Sequence, residues 1–336
     1  MMKIKVGQIG IGHNHGMMKF YAFKQFPELF EVVGFSEDNP DWLEKRGDLD
    51  VYKGFKNYPV EELIDMCDAL IIECDVKNLT KYALMCVKKG KHIHMDKPAS
   101  GSLEEFKEVL DIAKEKNLVV QMGYMYRYNP AVLKTFELIE EGKLGEILSI
   151  NAEMSTYHGK PYKEWLSTFE GGIMYILGSH FVDLIVKMMG KPDKITSFLK
   201  HTGFEGVDVC DNNLAVLEFG NALARIFVSS VEVNGWGRRQ LVVSGTKGTV
   251  NIVPMENPCI MTYSGLEIAK DYPYMDKKEI IEIPDVPKNN RYDTMVSDFY
   301  EYIKGTKTNP YTYEHDYLVQ KVLYEIIGGI PFRNSV

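Results

Sequence analysis

The first third of the chain alternates two hydrophobic rhythms. Short continuous apolar runs, KIKVGQI (3–9), FEVVGFS (30–36), DALIIEC (68–74), HIHMD (92–96) and LVVQMGY (118–124), have the length and composition of fully buried strands. Between them lie helix-period stretches: HGMMKFYAFKQF, stopped by Pro27, then LTKYALMCVKKG and SLEEFKEVLDIAKEKN. The last opens with Ser102 and Glu105 at capping-box spacing. Strand–helix alternation predicts a parallel sheet covered on both faces. After Asn129-Pro130, an N-cap with proline at the first helical position, the rhythm changes. A helix to about Glu141, a strand over roughly 146–156 and a helix over about 172–189 are followed by strand after strand: KITSFLKHT, NNLAVLEF, ALARIFVSSV, RQLVVSGT and GTVNIVP. Gly220-Asn221 is a two-residue hairpin turn between two of them. The pattern predicts an antiparallel sheet, and two amphipathic helices, about 292–304 and 314–328, close the chain.

The fold class expected is therefore α/β: an N-terminal dinucleotide-binding domain of the Rossmann type over 1–123, and an α+β domain with a large, mostly antiparallel open sheet over 124–336. A length of 336 residues supports two cores. A formal charge of −8 argues against nucleic acid as the partner. No apolar run is long enough for a bilayer. The N-terminus reads as a strand and not a signal peptide. The five cysteines (Cys67, Cys74, Cys86, Cys210, Cys259) are scattered, as in a reduced, cytoplasmic protein.

The loop GQIGIGHNHGMM (7–18) follows a strand and precedes a helix. Gly10-x-Gly12 gives a tight turn, and an open helix N-terminus puts N–H groups onto a pyrophosphate. The third glycine of the usual pattern is His15, and Gly16 takes over the close helix–strand approach. Glu37 ends the second strand where an acid takes the ribose hydroxyls, which predicts NAD over NADP. Cofactor contacts are assigned to Gly10, Gly12, His13, Asn14, His15 and Glu37, with Asp75 after the fourth strand and Asp96 and Lys97 after the fifth. His13 and His15 invite a metal, but two ligands do not make a zinc site, so no metal is expected.

Asp96-Lys97-Pro98 after a strand, GYMYRYNPA (123–131), WLSTFEGGIMYILGSHFVDL (165–184) and VSGTKGTV (243–250) occur in an order that resembles the glucose-fructose oxidoreductase, inositol dehydrogenase and rhizopine catabolism (Gfo/Idh/MocA) family. The resemblance spans nearly the whole chain. It implies an NAD(P)-dependent oxidoreductase acting on a sugar, polyol or related hydroxy or keto compound. It also implies Lys97 facing nicotinamide and substrate, and homodimers or homotetramers joined through the C-terminal sheet.

Lys97 is then the expected acid/base. Burial beside the positive nicotinamide should weaken its hold on a proton, and Pro98 confines its backbone. His180 is the second catalytic candidate. Tyr126 and Arg127 at the hinge are assigned to substrate, with an Arg127–Asp96 ion pair as the structural alternative. Tyr157, His158, Trp165, Tyr175, Ile176 and Asp183 complete the substrate set. Lys160 is a weaker candidate. Ile176 stands where the family's helix carries an aspartate one turn before its histidine. The Thr-Pro pair usual after the fourth strand is replaced by ECDVKNLTKY, and Asp96 replaces a commoner glutamate. The missing aspartate keeps open the reading of a non-catalytic dinucleotide sensor, and an NAD-assisted glycosidase is the third alternative within the resemblance.

Overall fold

The structure, a computed structural model, describes residues 3–256, 258–269, 278–284 and 290–332. The chain forms two compact units, 3–125 with 290–320, and 126–284 with 321–332.

The first unit runs β1 (Ile4–Ile9), α1 (Gly16–Lys24), β2 (Phe30–Ser36), α2 (Pro40–Arg46), β3 (Lys56–Asn57), α3 (Val60–Met66), β4 (Ala69–Ile72), α4 (Leu79–Lys88), β5 (His92–Met95), α5 (Leu103–Glu115) and β6 (Val120–Met122). Its sheet is wholly parallel in the order β3-β2-β1-β4-β5-β6. That is the doubly wound dinucleotide-binding order, with its switch point between β1 and β4. Leu70, Ile71, Ile72, Ile93 and Val120 are fully buried, as strands covered on both faces require. The expected capping box is present: Ser102 Oγ accepts from Glu105 N (3.1 Å), and Glu105 Oε2 accepts from Ser102 N (3.0 Å). The pattern missed α2, α3 and β3, elements of seven residues or fewer whose periodicity is too brief to read.

The second unit contains α6 (Pro130–Glu140), β7 (Ile147–Glu153), α7 (Lys160–Leu166), α8 (Ser179–Met189), β8 (Lys194–His201), β9 (Cys210–Phe219), β10 (Ala222–Ser229), β11 (Gln240–Gly245), β12 (Gly248–Ile252), β13 (Met261–Gly265) and β14 (Glu279–Ile281). Asn129 Oδ1 caps α6, accepting from Ala131 N and Val132 N. The Gly220-Asn221 hairpin pairs Phe219 with Ala222. The eight strands lie in the order β14-β13-β12-β11-β7-β10-β9-β8. All pairs are antiparallel except β10 with β7, because β7 inserts between strands that follow it by seventy residues or more. The helix expected over 172–189 has two windings, a π-helical turn at Met174–Gly178 and then α8. Ile176 and His180 are therefore not separated by one regular α-turn.

Two helices follow, α9 (Asp293–Lys304) and α10 (Tyr313–Ile327). Although α9 comes late in sequence, it belongs to the first unit, where Phe299 meets Phe23 and Tyr300 meets Phe30 edge-to-face. Among the described residues no helix is long and apolar enough to cross a membrane.

Candidate functional site

The carboxyl ends of β1, β4 and β5 bring the glycine loop, Glu73 and Asp96-Lys97 to the switch point. Gly10 has φ +85°, and a Cβ there would fall 2.2 Å from Cys74 Cα, so only glycine fits. Gly12 is constrained by a different neighbour. Its missing Cβ faces the Trp42 indole, 2.6 Å from Nε1, and Trp42 Nε1–H donates to Asp75 Oδ1 (3.1 Å). A Cβ on Gly16 would lie 3.2 Å from Gln8 Nε2 on β1, the close helix–strand approach expected of it.

Arg46 ties the loop down, donating to Ile11 O (3.1 Å), His13 O (2.7 Å) and Asn14 Oδ1 (2.9 Å). Its guanidinium also lies over the Trp42 ring at 4.9 Å. Glu37 accepts from Ile11 N (2.9 Å) and Asn39 N (3.0 Å), so each carboxylate oxygen keeps one lone pair for a hydroxyl. Among the described residues the N–H groups of Gly12 and Asn14 make no hydrogen bond. Glu37, Asp38, Trp42, Asp75 and Tyr82 line a pocket of about 180 Å³ that reaches Gly10. The loop, its unbonded N–H groups and this acidic pocket fit a dinucleotide.

Beneath the loop lies a buried polar network. Asp96 Oδ2 is 2.7 Å from His13 Nδ1 and 2.8 Å from His15 Nδ1, and Asp96 Oδ1 accepts from Lys97 N (2.8 Å). The expectation that the two histidines stand without a third ligand therefore fails, because β5 delivers Asp96 to both. Lys19, fully buried, reaches Glu73 Oε1 (3.4 Å) and His94 Nε2 (2.6 Å). Gln121 Nε2 donates to Met295 O, which turns Gln121 Oε1 toward His94 Nδ1 (2.7 Å). His94 therefore carries its proton on Nδ1 and accepts from Lys19 through Nε2.

Burial would lower His13, but the charge and hydrogen bond of Asp96, with Glu73 behind them, raise it to about 9. Burial lowers His15 to about 4 against the pull of Asp96, with the His13 and Lys97 charges adding. Burial would raise Asp96, but the His13, His15 and Lys19 charges hold it well below the ordinary carboxylate range. Burial and the neighbouring Asp96 charge push Glu73 up. Burial and the Lys19 charge keep His94 well below its usual value. Lys97 is 2% exposed and precedes Pro98 through a cis peptide bond.

In the second unit Arg127 pairs with Asp183, not Asp96. Nε donates to Oδ1 (3.1 Å) and Oδ2 (3.0 Å) and Nη2 to Oδ1 (2.6 Å), both side chains being buried. His180 is buried with its ring 5.1 Å from that of Tyr126, whose hydroxyl donates to Glu256. Trp165 and Tyr175 join Phe169 and Phe332 in an aromatic ladder with centroids 5.0–6.4 Å apart. His158 stacks on Tyr162 at 3.8 Å, and burial, then the Arg239 and Lys163 charges, lower it to about 4. Tyr157 is exposed, Ile176 is buried, and Lys160 is a surface partner of Glu164.

Sequence reasoning missed Lys19, Trp42, Arg46 and Glu73. Lys19 and Arg46 read as surface cations on helices. Glu73 was legible only as a charge closing an apolar strand.

Two family models match the chain. One, described as an oxidoreductase family with an NAD-binding Rossmann fold, matches residues 4–124. The other, the GFO/IDH/MocA C-terminal domain, matches residues 132–251. A levoglucosan dehydrogenase from Pseudarthrobacter phenanthrenivorans is 25% identical over 296 residues, covering 74% of this chain and 73% of that protein. A glucose-6-phosphate 3-dehydrogenase from Bacillus subtilis is 32% identical over 188 residues, covering 54% and 52%. The structure of a UDP-N-acetylglucosamine 3-dehydrogenase from Acidithiobacillus ferrooxidans superposes with TM-score 0.78 over 98% of both chains at 16% identity, a likeness of fold. The NAD-binding sheet order, the glycine loop at its switch point and the two matched domains together make this chain a member of the Gfo/Idh/MocA family of NAD(P)-binding oxidoreductases.

Proposed function

We propose that the protein is an NAD-linked dehydrogenase of a sugar, polyol or related hydroxy compound, with Lys97 as acid/base. The observation that carries this is a buried lysine at the carboxyl end of β5, immediately after Asp96 and beside the glycine loop. NAD+, held by the glycine loop and Glu37, would supply the acceptor for the hydride of the carbinol carbon. Lys97 Nζ takes the hydroxyl proton, and the C–O bond becomes a carbonyl. The substrate class is supported by the sugar substrates that the relatives' names print. His180 and Tyr126 are proposed to orient substrate. Arg127 and Asp183 satisfy each other and act as positioning residues. Trp165 and Tyr175 pack the aromatic ladder.

NAD over NADP is supported by Glu37 and Asp38, two carboxylates in the pocket that would repel a 2′-phosphate. Equal or tighter binding of NADP in a direct titration contradicts that preference. A homo-oligomer through the open sheet is supported by Phe198, Leu214, Val216, Leu223 and Phe227, which register to one face of β8, β9 and β10. Sedimentation showing only monomer would remove it.

The test of the activity is a screen of polyols, aldoses, inositols and their keto forms, read by nicotinamide absorbance. Turnover on a member of the class is expected. Tight NADH binding with no turnover on any of them would replace the dehydrogenase with the sensor.

A further inference from the structure

Two imidazoles and two carboxylates converge under the glycine loop. Ligand atoms of His13, His15 and Asp96 all lie within 4.8 Å of one another, and Glu73 Oε2 lies 3.5 Å from His13 Nδ1. Two features of this cluster are unsatisfied by protein alone. Glu73 is fully buried, yet its Oε2 makes no hydrogen bond, although an unmatched buried acceptor is costly. His13 Nδ1 faces both an acceptor, Asp96 Oδ2 at 2.7 Å, and a donor, the His15 backbone N–H at 3.2 Å. A ring nitrogen that donates to one has no lone pair for the other. A cation among these atoms would take lone pairs from both imidazoles and Asp96 and put positive charge beside the Glu73 carboxylate.

We infer that His13 Nδ1, His15 Nδ1 and Asp96 Oδ2 bind a divalent transition-metal ion, with the Glu73 carboxylate beside His13 as a second negative charge next to the site. Tetrahedral bonds of about 2.0–2.2 Å put ligand atoms roughly 3.3 Å apart. Asp96 Oδ2 stands 2.7 and 2.8 Å from the two ring nitrogens, so these atoms must spread by about half an ångström to admit the ion. Two imidazoles and a carboxylate suit Zn2+, Co2+ or Fe2+ over Mg2+ or Ca2+, which prefer all-oxygen sites. His15 is 27% exposed and gives the ion a way in. Lys97 N–H on Asp96 Oδ1 holds one ligand in place, and Lys19 Nζ near Glu73 Oε1 holds the neighbouring acid. The site goes beyond the dehydrogenase reading and does not depend on it. An ion there would place positive charge under the loop proposed to receive the pyrophosphate.

The test uses the full chain freed of metal with a chelator and titrated with Co2+, without nicotinamide cofactor. One equivalent should develop the strong visible bands of four-coordinate Co2+, and Zn2+ should displace them. His13→Gln and His15→Gln should each abolish or strongly weaken the bands, with circular dichroism confirming the fold. His92→Gln, at the far end of β5, should keep them. A spectrum that stays that of aquated Co2+ in the parent, or bands that persist in both H13Q and H15Q, overturns the site. NADH titration of the metal-free protein runs in parallel. Cofactor binding without Co2+ bands rejects the metal site alone, and Co2+ bands without NADH binding reject the dehydrogenase reading alone.

Discussion

Gly12 separates two explanations of the glycine loop. Gly12→Ala would place a methyl 2.6 Å from Trp42 Nε1, and ordinary contact begins at 3.4 Å, so the indole must move by about 0.8 Å. That shift breaks the Trp42–Asp75 hydrogen bond, which is charge-assisted and part-buried. Such bonds contribute about 1.5–3 kcal/mol, and the low end applies to a partly exposed group. A cost of about 1–2 kcal/mol corresponds to roughly 5–30-fold in NADH affinity, if the pocket wall must be intact to bind. Isothermal titration with NADH measures it. The same substitution made in a Trp42→Ala background meets no indole, so its added penalty should fall below about twofold. If Gly12→Ala costs as much in the Trp42→Ala protein as in the parent, the indole is not what excludes a side chain, and close approach of phosphate is.

Two further outcomes follow from the second unit. Arg127→Met removes the guanidinium that holds the buried Asp183 carboxylate through both oxygens and should cost about 3–5 kcal/mol in urea unfolding; a loss under about 1 kcal/mol would show the pair to be dispensable. His158 is neutral in the folded protein until about pH 4, whereas the unfolded chain protonates it near 6.5. The unfolded state therefore binds more protons in that window, and stability attributable to His158 falls as pH drops from 6.5 to 4. His158→Gln should flatten the pH dependence there, and an unchanged slope would remove the histidine from it.

The chain showed much of its fold because buried strands and capped helices carry local signals. Ser102–Glu105, Asn129-Pro130 and Gly220-Asn221 each did what local chemistry dictates. The order of strands had no such signal. β7 lies between β10 and β11 because of packing between distant segments, and no turn reports that. The site was legible where backbone geometry demands a residue type, as at Gly10. It was opaque where a partner comes from elsewhere. Arg127 could have faced Asp96 or Asp183 on spacing alone, and the fold gives Asp96 to the histidines. Lys19 and Lys163 look like surface lysines, yet both are fully buried, one against Glu73 and His94, the other over the Phe204 ring.

In the proposed dehydrogenase Lys97 moves the proton while the glycine loop holds the cofactor. Lys97→Met, assayed with the substrate that the screen identifies, tests it most directly. General acid–base assistance is typically worth about 10²–10⁴ in rate. The expected result is a fall in kcat of that order, a changed pH profile, and NADH affinity within about threefold of the parent. Near-parental kcat with an unchanged pH profile would contradict it.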